Sequence, residues 1–166
     1  LSFHMIAQET PLWMRYPTIS PDGSEIVFSY KGDLFKVPTA GGRASQLTSN
    51  PSHDSYPIWS PDGKHIAFAS NREGSFDIYT MPSTGGSPKR LTTNSAGEIP
   101  ITFKNNTHIL FSANIMQDPR DSQFPSGLFP QVYEINIEGG RPALYSSFPM
   151  ENISIDKSGK KFLYHD

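Results

Sequence analysis

The chain repeats itself, and a repeat constrains a fold more tightly than composition can. Tyr16-Pro17-Thr18-Ile19-Ser20-Pro21-Asp22-Gly23 returns 40 positions later as Tyr56-Pro57-Ile58-Trp59-Ser60-Pro61-Asp62-Gly63. Each copy runs into a short apolar stretch, Ile26-Val27-Phe28 and Ile66-Ala67-Phe68. Asp33-Leu34-Phe35-Lys36-Val37-Pro38 and Asp77-Ile78-Tyr79-Thr80-Met81-Pro82 follow, now 44 positions apart, so the second copy carries four extra residues between these runs. Both then present Gly-Gly (Gly41-Gly42, Gly85-Gly86) and end on Leu-Thr (Leu47-Thr48, Leu91-Thr92). A degenerate third copy reads Ile99-Pro100-Ile101-Thr102, Lys104-Asn105-Asn106, His108 to Phe111, Val132 to Ile135 and Gly139-Gly140. A fourth starts at Ile153-Ser154-Ile155 and reaches Phe162-Leu163-Tyr164.

Each copy divides into four short strands. Pro21 and Pro61 preset φ for a tight turn, Asp22 and Asp62 suit its second position, and Gly23 and Gly63 supply the left-handed residue that closes a bulged hairpin. The Gly-Gly pairs make a second hairpin. The middle strands are apolar on both sides, as in a sheet packed between two others. Four strands in about 40 residues is the size of a propeller blade. The expected fold is therefore all-β, a β-propeller of four-stranded antiparallel blades. About three and a half are present, the amino-terminal part of a larger propeller, since closed rings need about four to eight. The alternative is a small open or four-bladed propeller in which residues 1–15 supply missing strands. The expected division is 1–15 as an amino-terminal segment, 16–55, 56–95 and 96–149 as three blades, and 150–166 as half of a fourth.

Composition narrows the function classes. Lys and Arg number 14 against 16 Asp and Glu, a net charge of −2, which argues against phosphate-driven nucleic-acid binding. Glycine and proline number 13 and 15 in 166 residues, enough punctuation to disfavour long helices. There is no cysteine, so neither a disulfide nor a thiolate metal site is available. No apolar run reaches the roughly 18 residues of a membrane span. Leu1 to Ala7, followed by Gln8-Glu9-Thr10, reads either as the tail of a secretory signal cleaved after Ala7 or as an ordinary short strand.

The string Tyr-Pro-x-x-Ser-Pro-Asp-Gly, with Ile-x-Phe, Asp-Ile-Tyr and Gly-Gly-x-x-x-x-Leu-Thr after it, resembles the TolB-type propeller repeat. Leu12-Trp13-Met14-Arg15-Tyr16-Pro17, Ser29 to Leu34 and Gln123-Phe124-Pro125-Ser126 resemble the amino-terminal propeller of Tricorn-type proteases, exported relatives of the tail-specific serine proteases. The resemblance spans about residues 12–166. It implies a non-catalytic module of an exported protease, periplasmic or in the cell envelope, guiding peptide substrates or docking other domains, with the protease domain downstream. The alternatives are a free-standing TolB-like protein-binding scaffold and the propeller of a prolyl-oligopeptidase-type enzyme. Expected partners are peptide or protein, with no nucleic acid and no membrane span.

Residue by residue, the chemistry is sparse. Ser20 with Asp22 and Ser60 with Asp62 invite a catalytic reading, but recurrence at turns favours local hydrogen bonding, and there is no Gly-x-Ser-x-Gly elbow. No catalytic residue and no cofactor is expected. The histidines (His4, His53, His65, His108, His165) lack metal-ligand spacing, and Asn71, Glu73 and Asp77 offer fewer oxygens than the roughly six to eight that calcium takes. No metal site is expected, and the 71–77 stretch reads as an Arg–acid pair on a solvated turn. Asn105-Asn106-Thr107 and Asn152-Ile153-Ser154 fit only the weak glycosylation pattern. The binding candidate is the inserted loop 117–130 of the third copy, with Asp118, Arg120, Asp121, Phe124, Leu128 and Phe129, because loops inserted on a rigid scaffold do much of the binding in proteins; the alternative is that Phe124 and Phe129 tuck back onto the blade. An open blade edge at Phe162–Asp166 predicts self-association.

Overall fold

The computed structural model describes residues 13–114, 130–146, 152–155 and 161–165. Among them, β1 (Arg15–Ile19), β2 (Glu25–Tyr30), β3 (Asp33–Pro38) and β4 (Ser45–Gln46) form one antiparallel sheet in chain order. A second holds β5 (Asp54–Trp59), β6 (His65–Glu73), β7 (Ser75–Pro82) and β8 (Lys89–Arg90). The third holds β9 (Glu98–Asn105), β10 (His108–Ala113), β11 (Gln131–Asn136) and β12 (Ala143–Ser146). A hairpin follows, β13 (Asn152–Ile155) with β14 (Phe162–His165). The all-β architecture of four-stranded antiparallel blades expected from the repeat is the one observed. No helix among the described residues is long and apolar enough to cross a membrane.

The turns form as their residues dictate. Gly23 (φ 75°) donates its N–H to the Ser20 carbonyl at 2.9 Å, and Gly63 (φ 70°) does the same to Ser60 at 2.9 Å. A Cβ at these φ values would be strained, which is why glycine recurs there. Gly41 and Gly85 close the next hairpin on the carbonyls of Pro38 and Pro82. The four extra residues of the second copy lengthen a hairpin: β6 and β7 run nine and eight residues, where β2 and β3 run six each.

Alternation decides what each face buries. In the second sheet Ile66, Phe68, Tyr79 and Met81 pack toward Val27 and Leu34 of the first. Ala67 and Ile78, one residue out of phase, pack toward Phe103, Ile109, Phe111 and Tyr133 of the third. Sequential side chains point to opposite faces, so one strand feeds two cores, and each fully buried large side chain contributes about 2 kcal/mol. The first strands of successive sheets adjoin one another, β1 with β5, β5 with β9 and β9 with β13, so the sheets fan out from a common inner side.

Candidate functional site

Three groups of polar and aromatic side chains stand out among the described residues: the turns, the sheet junctions and the inner strands. At the turns Ser20 Oγ donates to Asp22 Oδ1 at 2.6 Å and accepts the Glu25 N–H at 2.9 Å. Ser60 repeats this, donating to Asp62 at 2.7 Å and accepting from His65 N at 2.9 Å. Each hydroxyl is thus spent within its own turn. The Ser20 hydrogen bond, then those from Ser24, hold the Asp22 carboxyl down at about 2, and Ser60 lowers Asp62 likewise. A Cβ on Gly63 would come 3.8 Å from Pro21 Cδ, and Asp62 N donates to Asn106 Oδ1 at 3.1 Å, so the turns of neighbouring sheets stand side by side.

The sheet junctions hold buried charge that sequence reasoning missed. Asp54 opens β5 and is fully buried; Arg72 Nη2 donates to both its carboxylate oxygens at 3.0 Å. The Arg72 guanidinium also lies 4.6 Å from the Tyr79 ring centroid and 5.7 Å from Phe68. The expectation of an Arg–acid pair on a solvated turn is therefore corrected: Asn71 to Glu73 and Ser75 to Asp77 are strand residues, and the Arg72 side chain is only 14% exposed. Asn71 Oδ1 accepts the His53 N–H at 2.7 Å.

One junction along, Asp77 is fully buried and takes Arg90 Nη2 at 2.6 Å, while its Oδ1 and Arg90 Nε lack partners. Glu98 opens β9, also fully buried; Oε2 accepts from Thr92 Oγ1 and Oε1 has no partner. Thr92 Oγ1 in turn accepts the Ile78 N–H at 2.9 Å, as Thr48 Oγ1 does for Leu34 in the first copy. Burial pushes Glu98 up to about 7 against the Thr92 hydrogen bond, with the Asp77 charge adding to the rise. Burial raises Asp77 too, opposed by Arg90. The sequence carried a sign of this in the acid that opens the first strand of the second and third sheets, but its partners lie on other strands.

On the inner strands, Tyr16 of β1 and Tyr56 of β5 stack with ring centroids 3.9 Å apart and planes tilted by 31°. Both have φ of 53°, left-handed values rare for a bulky residue. Both sit where strand register slips, between Arg15 and Thr18 and between Ser55 and Ile58. A bulge re-aims its side chain, and here it turns two rings toward each other across the gap between sheets. The Tyr16 side chain, by hydrogen bonding, and then burial raise the Tyr56 phenol, while the Arg15 charge pulls it back. Arg15 lies with its guanidinium 5.1 Å from the Trp13 ring centroid, and Trp13 is 73% exposed.

The six residues of the candidate loop, Asp118, Arg120, Asp121, Phe124, Leu128 and Phe129, lie outside the described residues, as do Leu1 to Leu12. His65 N caps the Ser60 turn, and His108 lies among Asn105, Thr107 and Asn136. Asn105 Oδ1 accepts from Thr107 N at 2.9 Å and His108 N at 2.9 Å, a turn role.

Residues 11–166 match the profile described as the Tricorn protease N-terminal beta propeller domain. A stretch of 82 residues, 49% of this chain, is 34% identical to 8% of Tricorn protease homolog 1 of Streptomyces coelicolor. The crystal structure of TolB from Acinetobacter baumannii superposes with a TM-score of 0.71 at 20% identity, over 92% of this chain and 37% of that one. The crystal structure of the tricorn protease superposes with a TM-score of 0.70 at 22% identity, over 89% of this chain and 15% of that one. The chain thus spans a small part of the length of these proteins.

Proposed function

Because this chain belongs to the Tricorn protease N-terminal β-propeller family, matched over residues 11–166, we propose that it is a non-catalytic propeller module that binds extended peptide and guides it toward a hydrolase. The family match carries this reading. The repeat supports it from below: three sheets share two-sided cores, which makes a rigid scaffold for loops. The serine hydroxyls nearest to carboxylates are consumed by turns rather than held ready for attack. In this reading a serine-protease domain acts downstream, the parent protein is exported to the periplasm or cell envelope, and the 117–130 insertion contributes Arg120, Phe124 and Phe129 to peptide contact.

The test is fluorescence anisotropy with labelled extended peptides against the same peptides constrained as tight cycles. Saturable binding of the extended forms, weakened when Arg120, Phe124 and Phe129 are replaced by alanine, is the expected result. Equal binding of cyclic and extended forms would overturn the guiding role and favour a scaffold for folded partners.

A further inference from the structure

The inner strands carry a cation that no acid among the described residues pairs with. Arg15 is exposed and forms none of the salt bridges found among the described residues. Among the described residues its side chain lies over the face of Trp13, 5.1 Å from the ring centroid, which orders a guanidinium without cancelling its charge. Its field nevertheless reaches the Tyr56 phenol across the sheet boundary. So a guanidinium adjoins, in the chain, a stacked pair of tyrosines whose rings are brought together at two left-handed backbone positions. Positive φ in a bulky residue is strained and persists only where the surroundings enforce it. Here the same φ occurs at the same repeat position twice.

We propose that Arg15 with the Tyr16–Tyr56 pair forms a subsite for the side-chain carboxylate of an aspartate or glutamate inside an extended peptide, with apolar residues on both sides of that acid. Guanidinium and phenol are donors suited to a carboxylate, and a charge-assisted contact is about twice as strong as a neutral one. The flanks argue for an internal acid over a chain terminus. Trp13 and Met14, 73% and 53% exposed, adjoin Arg15 on the β1 side. On the other side β5 adjoins β9, where Ile99, 38% exposed, precedes Pro100 as Tyr56 precedes Pro57. Apolar surface both before and after the donors fits a peptide that continues in both directions.

The proposal rests on the reading that the chain binds extended peptide, and one experiment separates the two. Three fluorescein-labelled peptides are titrated by anisotropy: Gly-Leu-Glu-Leu-Gly blocked at both ends, its glutamine analogue blocked likewise, and the glutamine analogue with a free carboxyl terminus. The blocked glutamate peptide is expected to bind about tenfold more tightly than the blocked glutamine one, with the advantage shrinking as salt rises. Arg15→Gln is expected to abolish that advantage, and Tyr16→Phe to reduce it severalfold, with far-UV circular dichroism showing both variants folded. Equal binding of the two blocked peptides, or an advantage that survives Arg15→Gln, overturns the subsite and leaves peptide binding standing. Preference for the free terminus alone overturns the side-chain assignment. If none of the three binds, the peptide reading falls with it.

Discussion

Replacing Glu98 by glutamine should flatten the pH dependence of stability. Glu98 is fully buried, with one oxygen on Thr92 and the other unpartnered, and burial raises its carboxyl from 4.5 to about 7. A carboxyl raised on folding binds its proton more tightly in the native than in the unfolded state. Its contribution is therefore complete below the unfolded value and fades as pH climbs to the native one. At about 1.4 kcal/mol per pH unit, the rise from 4.5 to about 7 corresponds to at most about 3 to 4 kcal/mol, lost between about pH 4.5 and 7. Asp77, also raised, acts in the same direction, and because its charge adds to the rise at Glu98 the difference between the two proteins reads Glu98 together with that coupling. Urea unfolding followed by tryptophan fluorescence at pH 5, 6, 7 and 8 reads this directly. The native chain should lose stability steadily across the series. Glu98→Gln should lose less, matching or exceeding the native chain at pH 8. Parallel slopes, or native stability rising with pH, would refute the argument that Glu98 is buried and short of partners.

Arg72→Ala should cost about 3–5 kcal/mol by stranding the buried Asp54 charge; Lys89→Ala, whose pair with Glu138 is exposed, should cost under about 1 kcal/mol, both read by urea unfolding. Gly32→Ala should destabilise more than Gly74→Ala: both have positive φ, but a Cβ on Gly32 meets the Ser52 carbonyl at 3.2 Å, whereas on Gly74 it meets nothing within 4 Å. The Asp22 carboxyl should titrate near 2 by NMR, and Ser20→Ala should move that midpoint up toward the ordinary value.

Sequence reasoning reached what is local and stopped at what is not. The Ser-Pro-Asp-Gly and Gly-Gly turns are written in adjacent residues, and φ, proline and glycine settle them without neighbours. Strand order followed, because strands joined by tight hairpins pair with their neighbours in the chain. The junctions were illegible for the opposite reason. Arg72 meets Asp54, 18 positions away, and Thr92 meets Glu98 across the connection into the next sheet. A charged residue near a hairpin reads as solvated until packing shows that another strand covers it. Tyr16 and Tyr56 were visible as a repeated pair, but their stacking depends on two bulges and a sheet-to-sheet approach that no alternation pattern encodes. The fourth strands of the first two sheets are two residues each, Ser45–Gln46 and Lys89–Arg90, where that of the third, Ala143–Ser146, runs four.

The central claim is that this propeller holds a peptide without cutting it. The direct measurement is mass spectrometry of an extended peptide recovered after prolonged incubation with the purified chain at concentrations that saturate binding. The account predicts a bound peptide recovered at its original mass. Fragments that accumulate in proportion to the chain, and vanish when it is denatured, would contradict it.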